Sequence, residues 1–146
     1  MSKSLGNMIS IEEMADKFGP DASRLTILSG GENLDDPNWD SEFAKMIKIK
    51  LANWYEFALK TYNKGRTNKK QIDNWIDKKL NEIIKESEEL IEKTLFRSAI
   101  QKMYFNLQEA LRWYLKRTDP NKETLNRVIE AQTIMLSPFA PFITEE

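Results

Sequence analysis

The chain has 146 residues, enough for one domain with a core, and its 40% hydrophobic content is sufficient to build that core. It carries a net charge of −1 and contains no cysteine and no histidine, which excludes disulfides, thiolate or histidine metal sites and serine–histidine triads. No apolar run approaches the ~20 residues of a membrane-spanning helix, so we expect a cytoplasmic protein without a membrane partner.

The first 40 residues predict two short helices and a loop. Ser10 and Glu13 form a capping-box pattern, after which apolar residues recur at helical spacing until Gly19. Pro20 suits the first turn of a second helix, and the Gly-Gly pair at 30–31 ends it. The following stretch, which ends in ENLDDPNWD, has the Asn, Asp and Pro content of a loop.

The rest of the chain predicts four longer helices. The first has an apolar stripe at 3.6-residue spacing, and we expect Gly65 to end it in a left-handed conformation. The second spans about 71–92, Thr94 is expected to cap the third, and the fourth runs toward Pro138. No segment alternates with the period of two that a half-buried strand requires, so we predict no sheet.

We therefore predict an all-α fold in two parts. Residues 1–40 would supply two connecting helices, and residues 41–146 would form a four-helix up-down bundle, because short loops join antiparallel neighbours.

Charge is unevenly distributed along the sequence. Segments 43–79 and 97–117 are basic, while the segments before, between and after them are acidic. Two basic segments packed side by side would form a surface suited to a polyanion such as RNA. Lysines and arginines that simply solvate the outer faces of helices are the alternative.

The opening heptapeptide MSKSLGN contains residue types that handle nucleotide phosphates. A lysine ammonium can neutralise phosphate charge, serine hydroxyls can donate hydrogen bonds, and glycine allows a sharp turn. The segment resembles the signature loop Lys-Met-Ser-Lys-Ser of class I aminoacyl-tRNA synthetases, which continues x-Gly-Asn in the subgroup for aliphatic amino acids. Met1 through Asn7 match it except for the lysine expected ahead of Met1.

Three further segments resemble the same family in the same order. They are GPDASRL at 19–25, DPNWD at 36–40 and LSPFAPFITEE at 136–146, where Phe142 stands in place of the family's usual histidine. The stretch GENLDDPNWD is most similar to the leucyl subgroup of archaeal and eukaryotic type. Together the four segments extend over essentially the whole chain.

This resemblance implies an enzyme that activates leucine with ATP, accompanied by Mg, and transfers it to tRNA. It assigns ATP binding to Ser2, Lys3 and Ser4, with Lys3 as the catalytic lysine. The family's second ATP motif, His-x-Gly-His, cannot occur in a chain without histidine. We therefore expect a C-terminal part comprising the connecting helices and the anticodon-binding helical domain. By itself that part would be inactive and bind no cofactor, and its partners would be tRNA and the catalytic domain of the same polypeptide.

The resemblance also makes the basic segments candidate contacts for the tRNA backbone. The predicted tRNA-binding residues are Lys45, Lys48, Lys60, Lys64, Arg66, Lys69, Lys70, Arg97, Lys102, Arg112, Lys116 and Arg117. The alternatives are the same part of a valyl, isoleucyl or other class I synthetase, a stand-alone helical RNA-binding module, and a structural bundle with no role in RNA binding.

Overall fold

A computed structural model describes residues 9–35 and 38–146, and all regular secondary structure within these ranges is helical. The predicted all-α fold class is confirmed. The elements are α1 (Ile11–Phe18), α2 (Pro20–Ser29), α3 (Ser41–Thr61), α4 (Gln71–Glu92), α5 (Phe96–Ile100), a π-helical segment (Gln101–Asn106), α6 (Leu107–Leu115), α7 (Lys122–Leu136) and α8 (Pro141–Glu145). None of these helices is long and apolar enough to cross a membrane.

The predicted start of α1 is confirmed. The Ser10 hydroxyl accepts the N–H of Glu13 at 3.1 Å, and the Glu13 carboxylate accepts the N–H of Ser10 at 3.2 Å. Gly19 then takes φ 86°, a left-handed value that costs glycine little, and Pro20 begins α2 directly after it. The Ser23 hydroxyl bonds back to the Met14 carbonyl at 3.0 Å, which ties the two short helices together.

Four longer helical stretches follow, and the third of them is continuous from 96 to 115 through α5, the π-helical segment and α6. The loops at 62–70 and 116–121 lie side by side, because the N–H of Arg66 donates to the Pro120 carbonyl at 3.0 Å and the N–H of Lys122 to the Arg66 carbonyl at 2.9 Å. Both loops therefore occupy one end of the molecule, as an up-down arrangement requires. The sequence did not predict the π-helical turn.

The core consists of two clusters of buried residues. The first joins α1, α2 and α3 to α5 and the chain around Phe139, with Leu25, Ile47 and Ile100 fully buried. The second lies between α4, α6 and α7, with Ile76 at its centre. Thus the two connecting helices pack into the same cluster as α3, and the division at residue 40 stays a prediction.

Two predicted helix boundaries are wrong in detail. Thr94 does not cap α5, because it takes φ 58° as the left-handed residue that ends α4, where the N–H of Leu95 bonds to the Leu90 carbonyl at 2.9 Å. Gly65 does not end α3 either. The helix stops at Thr61, and Asn63 is the left-handed residue after it.

Gly65 instead allows the two loops at this end to approach each other. Its φ is 127°, and a Cβ at this position would lie 2.5 Å from the Pro120 carbonyl oxygen. Only glycine fits that contact without displacing backbone.

The C-terminal residues form a short helix that the sequence did not predict, and α2 holds it. The Asp21 carboxylate accepts the N–H groups of Phe142 at 3.4 Å and Ile143 at 2.8 Å, near the start of α8. Arg24 donates to the same carboxylate at 2.7 Å and lies over the Phe142 ring, 5.5 Å from its centroid. Two of the segments quoted from the sequence, GPDASRL and LSPFAPFITEE, therefore contact each other.

Candidate nucleic-acid interface

A groove about 560 Å³ in volume runs between α3 and the helical stretch formed by the π-helical segment and α6. Lys50 lines it from α3, Arg112 lines it from α6, and Lys116 lines it from the residue directly after α6. Glu109 is the one acidic residue among the described residues that line it. We call this feature the α3–α6 groove, and its charged lining is predominantly positive.

The helical repeat explains why cations border this groove. Leu51 and Trp54 are buried beneath α3, so Lys50, one position earlier, lies at the edge of the buried face. Arg112 and Lys116 are four residues apart and therefore share one face of α6. Aromatic and aliphatic side chains also line the groove: Trp54, Phe57, Tyr104, Phe105, Leu111 and Leu115.

The charged and aromatic side chains of the groove differ in their contacts and burial. The Lys50 ammonium lies 5.8 Å from the centroid of the Phe105 ring, a cation–π distance. Burial raises the pKa of the Tyr104 phenol above its ordinary value. Arg112 and Lys116 form no ion pair with any residue in the described ranges, which leaves both charges available to an anionic ligand.

The two basic segments meet at this groove. Lys50 belongs to segment 43–79, while Arg112 and Lys116 belong to segment 97–117. Of the predicted tRNA-binding residues, the structure thus brings Arg112 and Lys116 together, and it adds Lys50, which the sequence analysis did not single out. Lys50 lies one turn before Trp54 within a basic segment, and that position was the available signal.

The other predicted tRNA-binding residues are spread around the surface, and most of them have partners of their own. Four form exposed or partly exposed ion pairs: Lys45 with Glu42, Lys69 with Asp77, Arg97 with Asp35 and Lys102 with Glu86. Two donate to backbone carbonyls, Lys48 to Lys17 and Lys64 to Lys60. Exposed ion pairs contribute little to stability, so these cations can exchange partners at small cost.

The remaining ones lie near the end of the bundle formed by the two loops. Lys60 is exposed, with no hydrogen-bond or ion-pair partner on its ammonium in the described part of the chain. The Lys70 ammonium donates to the Thr118 hydroxyl at 3.3 Å. Arg117 stacks on Trp113, with its guanidinium carbon 3.5 Å from the ring centroid. These three cations lie outside the lining of the groove.

Arg66 occupies a different environment, because its side chain is only 13% exposed and pairs with fully buried Asp73 at 2.6 Å. Burial alone would raise the pKa of Asp73, but hydrogen bonds from Arg66, from the Tyr114 hydroxyl and from the Lys70 N–H outweigh it and hold that pKa below its usual value. The Tyr114 hydroxyl in turn accepts the N–H of Asn121 at 2.9 Å. Arg66 thus fixes the loops beside the groove, and a direct tRNA contact from it stays a prediction.

The predicted ATP-binding residues Ser2, Lys3 and Ser4 lie outside the described residues, so the structure does not test their role. In the described ranges, no group of three or more carboxylates is placed to hold a metal ion. No step involving the Mg that accompanies ATP is therefore assigned to these residues.

Comparison with known families adds a further observation. The family described as the anticodon-binding domain of tRNA ligase matches residues 73–146, just over half of the chain. The match includes α4, the helical stretch at 96–115, α7 and α8, so both cations that α6 contributes to the groove lie inside it.

Similar proteins extend the match to the whole chain. The leucine–tRNA ligase of Aeropyrum pernix is 36% identical over 151 residues, which cover 100% of this chain and 16% of that protein. A putative cytoplasmic leucine–tRNA ligase of Schizosaccharomyces pombe is 32% identical, with 99% of this chain and 14% of that protein covered. The chain therefore spans about a sixth of the length of these relatives.

A solved structure has the same fold. It is the ternary complex of a LeuRS from Agrobacterium radiobacter with tRNA and LeuAMS, which superposes with a TM-score of 0.80 at 21% identity. The similarity covers 99% of this chain and 19% of that one. At this identity the likeness establishes the helical architecture alone.

Proposed function

This chain belongs to the family of anticodon-binding domains of tRNA ligases, and from that premise we propose that it is the tRNA-binding helical part of an ATP-dependent leucine–tRNA ligase. The complete enzyme would activate leucine with ATP and transfer it to tRNA. Leucine is favoured because the relatives that match the whole chain are named leucine–tRNA ligases.

The α3–α6 groove is the observation that carries this proposal. It places the ammonium and guanidinium groups of Lys50, Arg112 and Lys116 along one concave surface, whereas the chain as a whole has a net charge of −1. A local concentration of cations of this kind attracts the phosphates of a nucleic acid despite the overall charge. Contacts of this type neutralise phosphates and release counterions; they position the RNA and carry little sequence information.

The test is a titration of tRNA into the 146-residue chain at several salt concentrations, read by fluorescence anisotropy of labelled tRNA. We expect affinity to fall steeply between about 50 and 200 mM salt. The double variant Arg112→Gln/Lys116→Gln should bind more weakly and should lower the slope of log K against log salt by about 0.9 for each phosphate contact that is lost.

The matched control removes two positive charges elsewhere, in the double variant Lys85→Gln/Lys93→Gln, whose side chains are exposed and lie outside the groove. This control should keep the wild-type slope. Equal losses in the two double variants would show that binding follows total charge rather than the groove. Binding that is undetectable or independent of salt would favour a structural bundle without a role in RNA binding.

The ATP chemistry is a separate part of the proposal. Lys3, flanked by Ser2 and Ser4, would hold the ATP phosphates in the complete enzyme, together with its catalytic domain, in the cytoplasm. In that enzyme Lys3→Ala should slow leucine-dependent ATP–pyrophosphate exchange while leaving tRNA affinity unchanged. The 146-residue chain alone should show no exchange; measurable exchange would contradict the assignment of most of the active site to the rest of the enzyme.

A further inference from the structure

Two tryptophans stack on each other at the surface, outside both core clusters. Trp75 of α4 and Trp113 of α6 have ring centroids 4.2 Å apart and an interplanar angle of 38°, and each is 38% exposed. Neither belongs to the sets of residues that form or flank the two clusters.

The guanidinium of Arg117 extends this stack. Its central carbon lies 3.5 Å from the Trp113 centroid. Trp113 therefore contacts both the Arg117 guanidinium and the Trp75 ring. Trp75 is 38% exposed, and a planar ring stacked on its exposed part would extend the series Arg117, Trp113, Trp75.

Cations lie near both tryptophans in the sequence. Lys78 and Lys79 follow Trp75 by three and four residues and share its face of α4, where Lys79 pairs with Glu82 at 3.0 Å. Lys116 and Arg117 follow Trp113 by the same intervals, just after α6 ends at Leu115, and Glu109 precedes Trp113 by four residues on its face of α6. An exposed aromatic pair within a positive surface is the combination that single-stranded nucleic acids bind, with bases on the rings and phosphates on the cations.

The pair also adjoins the α3–α6 groove, because Lys116 lines that groove and lies one turn from Trp113 on the same helix. An RNA whose backbone follows Arg112 and Lys116 would thus bring nucleotides next to the exposed rings.

We propose that Trp75 and Trp113 form a stacking site for an unpaired nucleobase of the RNA held in the α3–α6 groove. This inference rests on the proposed function, since it places a base contact beside the proposed backbone contacts. Stacking accepts any base, so the site would recognise an unpaired nucleotide rather than a particular sequence.

The test compares Trp75→Leu, Trp75→Phe and wild type, each checked for helicity and melting temperature by circular dichroism. Leucine keeps an apolar side chain but removes the ring plane, and phenylalanine keeps a ring. We expect Trp75→Leu to bind tRNA about tenfold more weakly with an unchanged salt slope, and Trp75→Phe to keep affinity within about threefold of wild type.

Intrinsic tryptophan fluorescence supplies a second measurement. A short unstructured oligonucleotide should quench it, whereas inorganic polyphosphate, which has charge but no bases, should not. The quenching should be largely lost in Trp75→Leu if the base stacks on that ring.

The outcomes separate the two proposals. If Trp75→Leu binds tRNA as wild type does while Arg112→Gln/Lys116→Gln binds more weakly, the stacking site is overturned and the groove stands. Equal quenching by polyphosphate and oligonucleotide would also overturn the stacking site. If wild type binds no tRNA, both proposals fail.

Discussion

Replacing Tyr114 by phenylalanine tests whether the buried polar network sets the geometry of the two loops beside the groove. The Tyr114 ring is fully buried, and its hydroxyl donates to the Asp73 carboxylate at 2.5 Å while accepting the N–H of Asn121 at 2.9 Å. Burial, together with the hydrogen bond to Asp73, raises the pKa of Tyr114 to about 12, which keeps the phenol a neutral donor across the physiological range. Phenylalanine removes this hydroxyl and keeps the ring.

The expected loss of stability follows from the two hydrogen bonds of the Tyr114 hydroxyl. A hydrogen bond to a charged group contributes about 1.5–3 kcal/mol, and a buried N–H left without a partner costs about 1–3 kcal/mol. Arg66 and the Lys70 N–H still bond to the Asp73 carboxylate, so the two values do not add in full. We expect Tyr114→Phe to lower the free energy of unfolding by about 2–4 kcal/mol.

Urea denaturation followed by circular dichroism at the helical band measures this loss directly. For a chain of this size the melting temperature should fall by roughly 5–15 °C. The control is Tyr62→Phe, which removes a hydroxyl that donates to Glu130 at 2.6 Å on the exposed surface and should leave the melting temperature nearly unchanged. Similar losses in the two variants would refute the reasoning, because burial would then not distinguish the two hydroxyls.

Three further perturbations test other contacts that stabilise the fold. Lowering the pH below about 4 should destabilise the fold, since the pKa of Asp73 is lower in the folded than in the unfolded chain and its contribution is lost as the pH falls through the folded value; a series of urea titrations from pH 6 to pH 2 measures this. Gly65→Ala should lower the melting temperature, because the added Cβ would meet the Pro120 carbonyl at 2.5 Å. Asp21→Ala should release α8, seen as faster amide exchange at Ile143, whose N–H bonds to that carboxylate at 2.8 Å.

Matched variants sharpen these three predictions. In Asp73→Asn the slope of stability against pH between about 4 and 2 should be shallower than in wild type; an unchanged slope would assign the acid sensitivity to other carboxylates. Thr94→Gly is the reverse type of substitution to Gly65→Ala, because it places glycine where threonine has the left-handed φ of 58°. It should raise the free energy of unfolding. A Gly65→Ala variant that melts at the wild-type temperature would contradict the close approach of the loops. In Asp21→Asn, which keeps an acceptor oxygen, α8 should exchange more slowly than in Asp21→Ala.

Local sequence patterns were sufficient for the helices whose ends are determined within a few residues. The Ser10 and Glu13 capping box begins α1 as predicted, because both partners lie within one turn of each other. The N-cap prediction for Thr94 was wrong because two local roles compete at this residue. Its type suits an N-cap, but the end of α4 is completed by bonds from Thr94 and Leu95 back into α4, and these place Thr94 in the left-handed region.

The candidate site, too, was predicted from the sequence only in part. The sequence identified two basic segments and predicted an RNA ligand, because charge and family motifs can be read directly along the chain. It did not distinguish Arg66, which binds buried Asp73, from Arg112, which faces the open groove. Both are arginines in basic segments, and only the fold of the loop at 62–70 against the start of α4 places a carboxylate beside one of them.

The sequence by itself determined the all-α fold, the positions of the long helices and the family, since helical periodicity, capping and motif order are properties of neighbouring residues. The tertiary structure decided that Lys50 faces Arg112 across a groove and that Trp75 stacks on Trp113 at the surface. Lys50 and Arg112 are 62 positions apart in the chain, and Trp75 and Trp113 are 38 positions apart. Contacts at such separations depend on how the helices pack, and no local pattern encodes them.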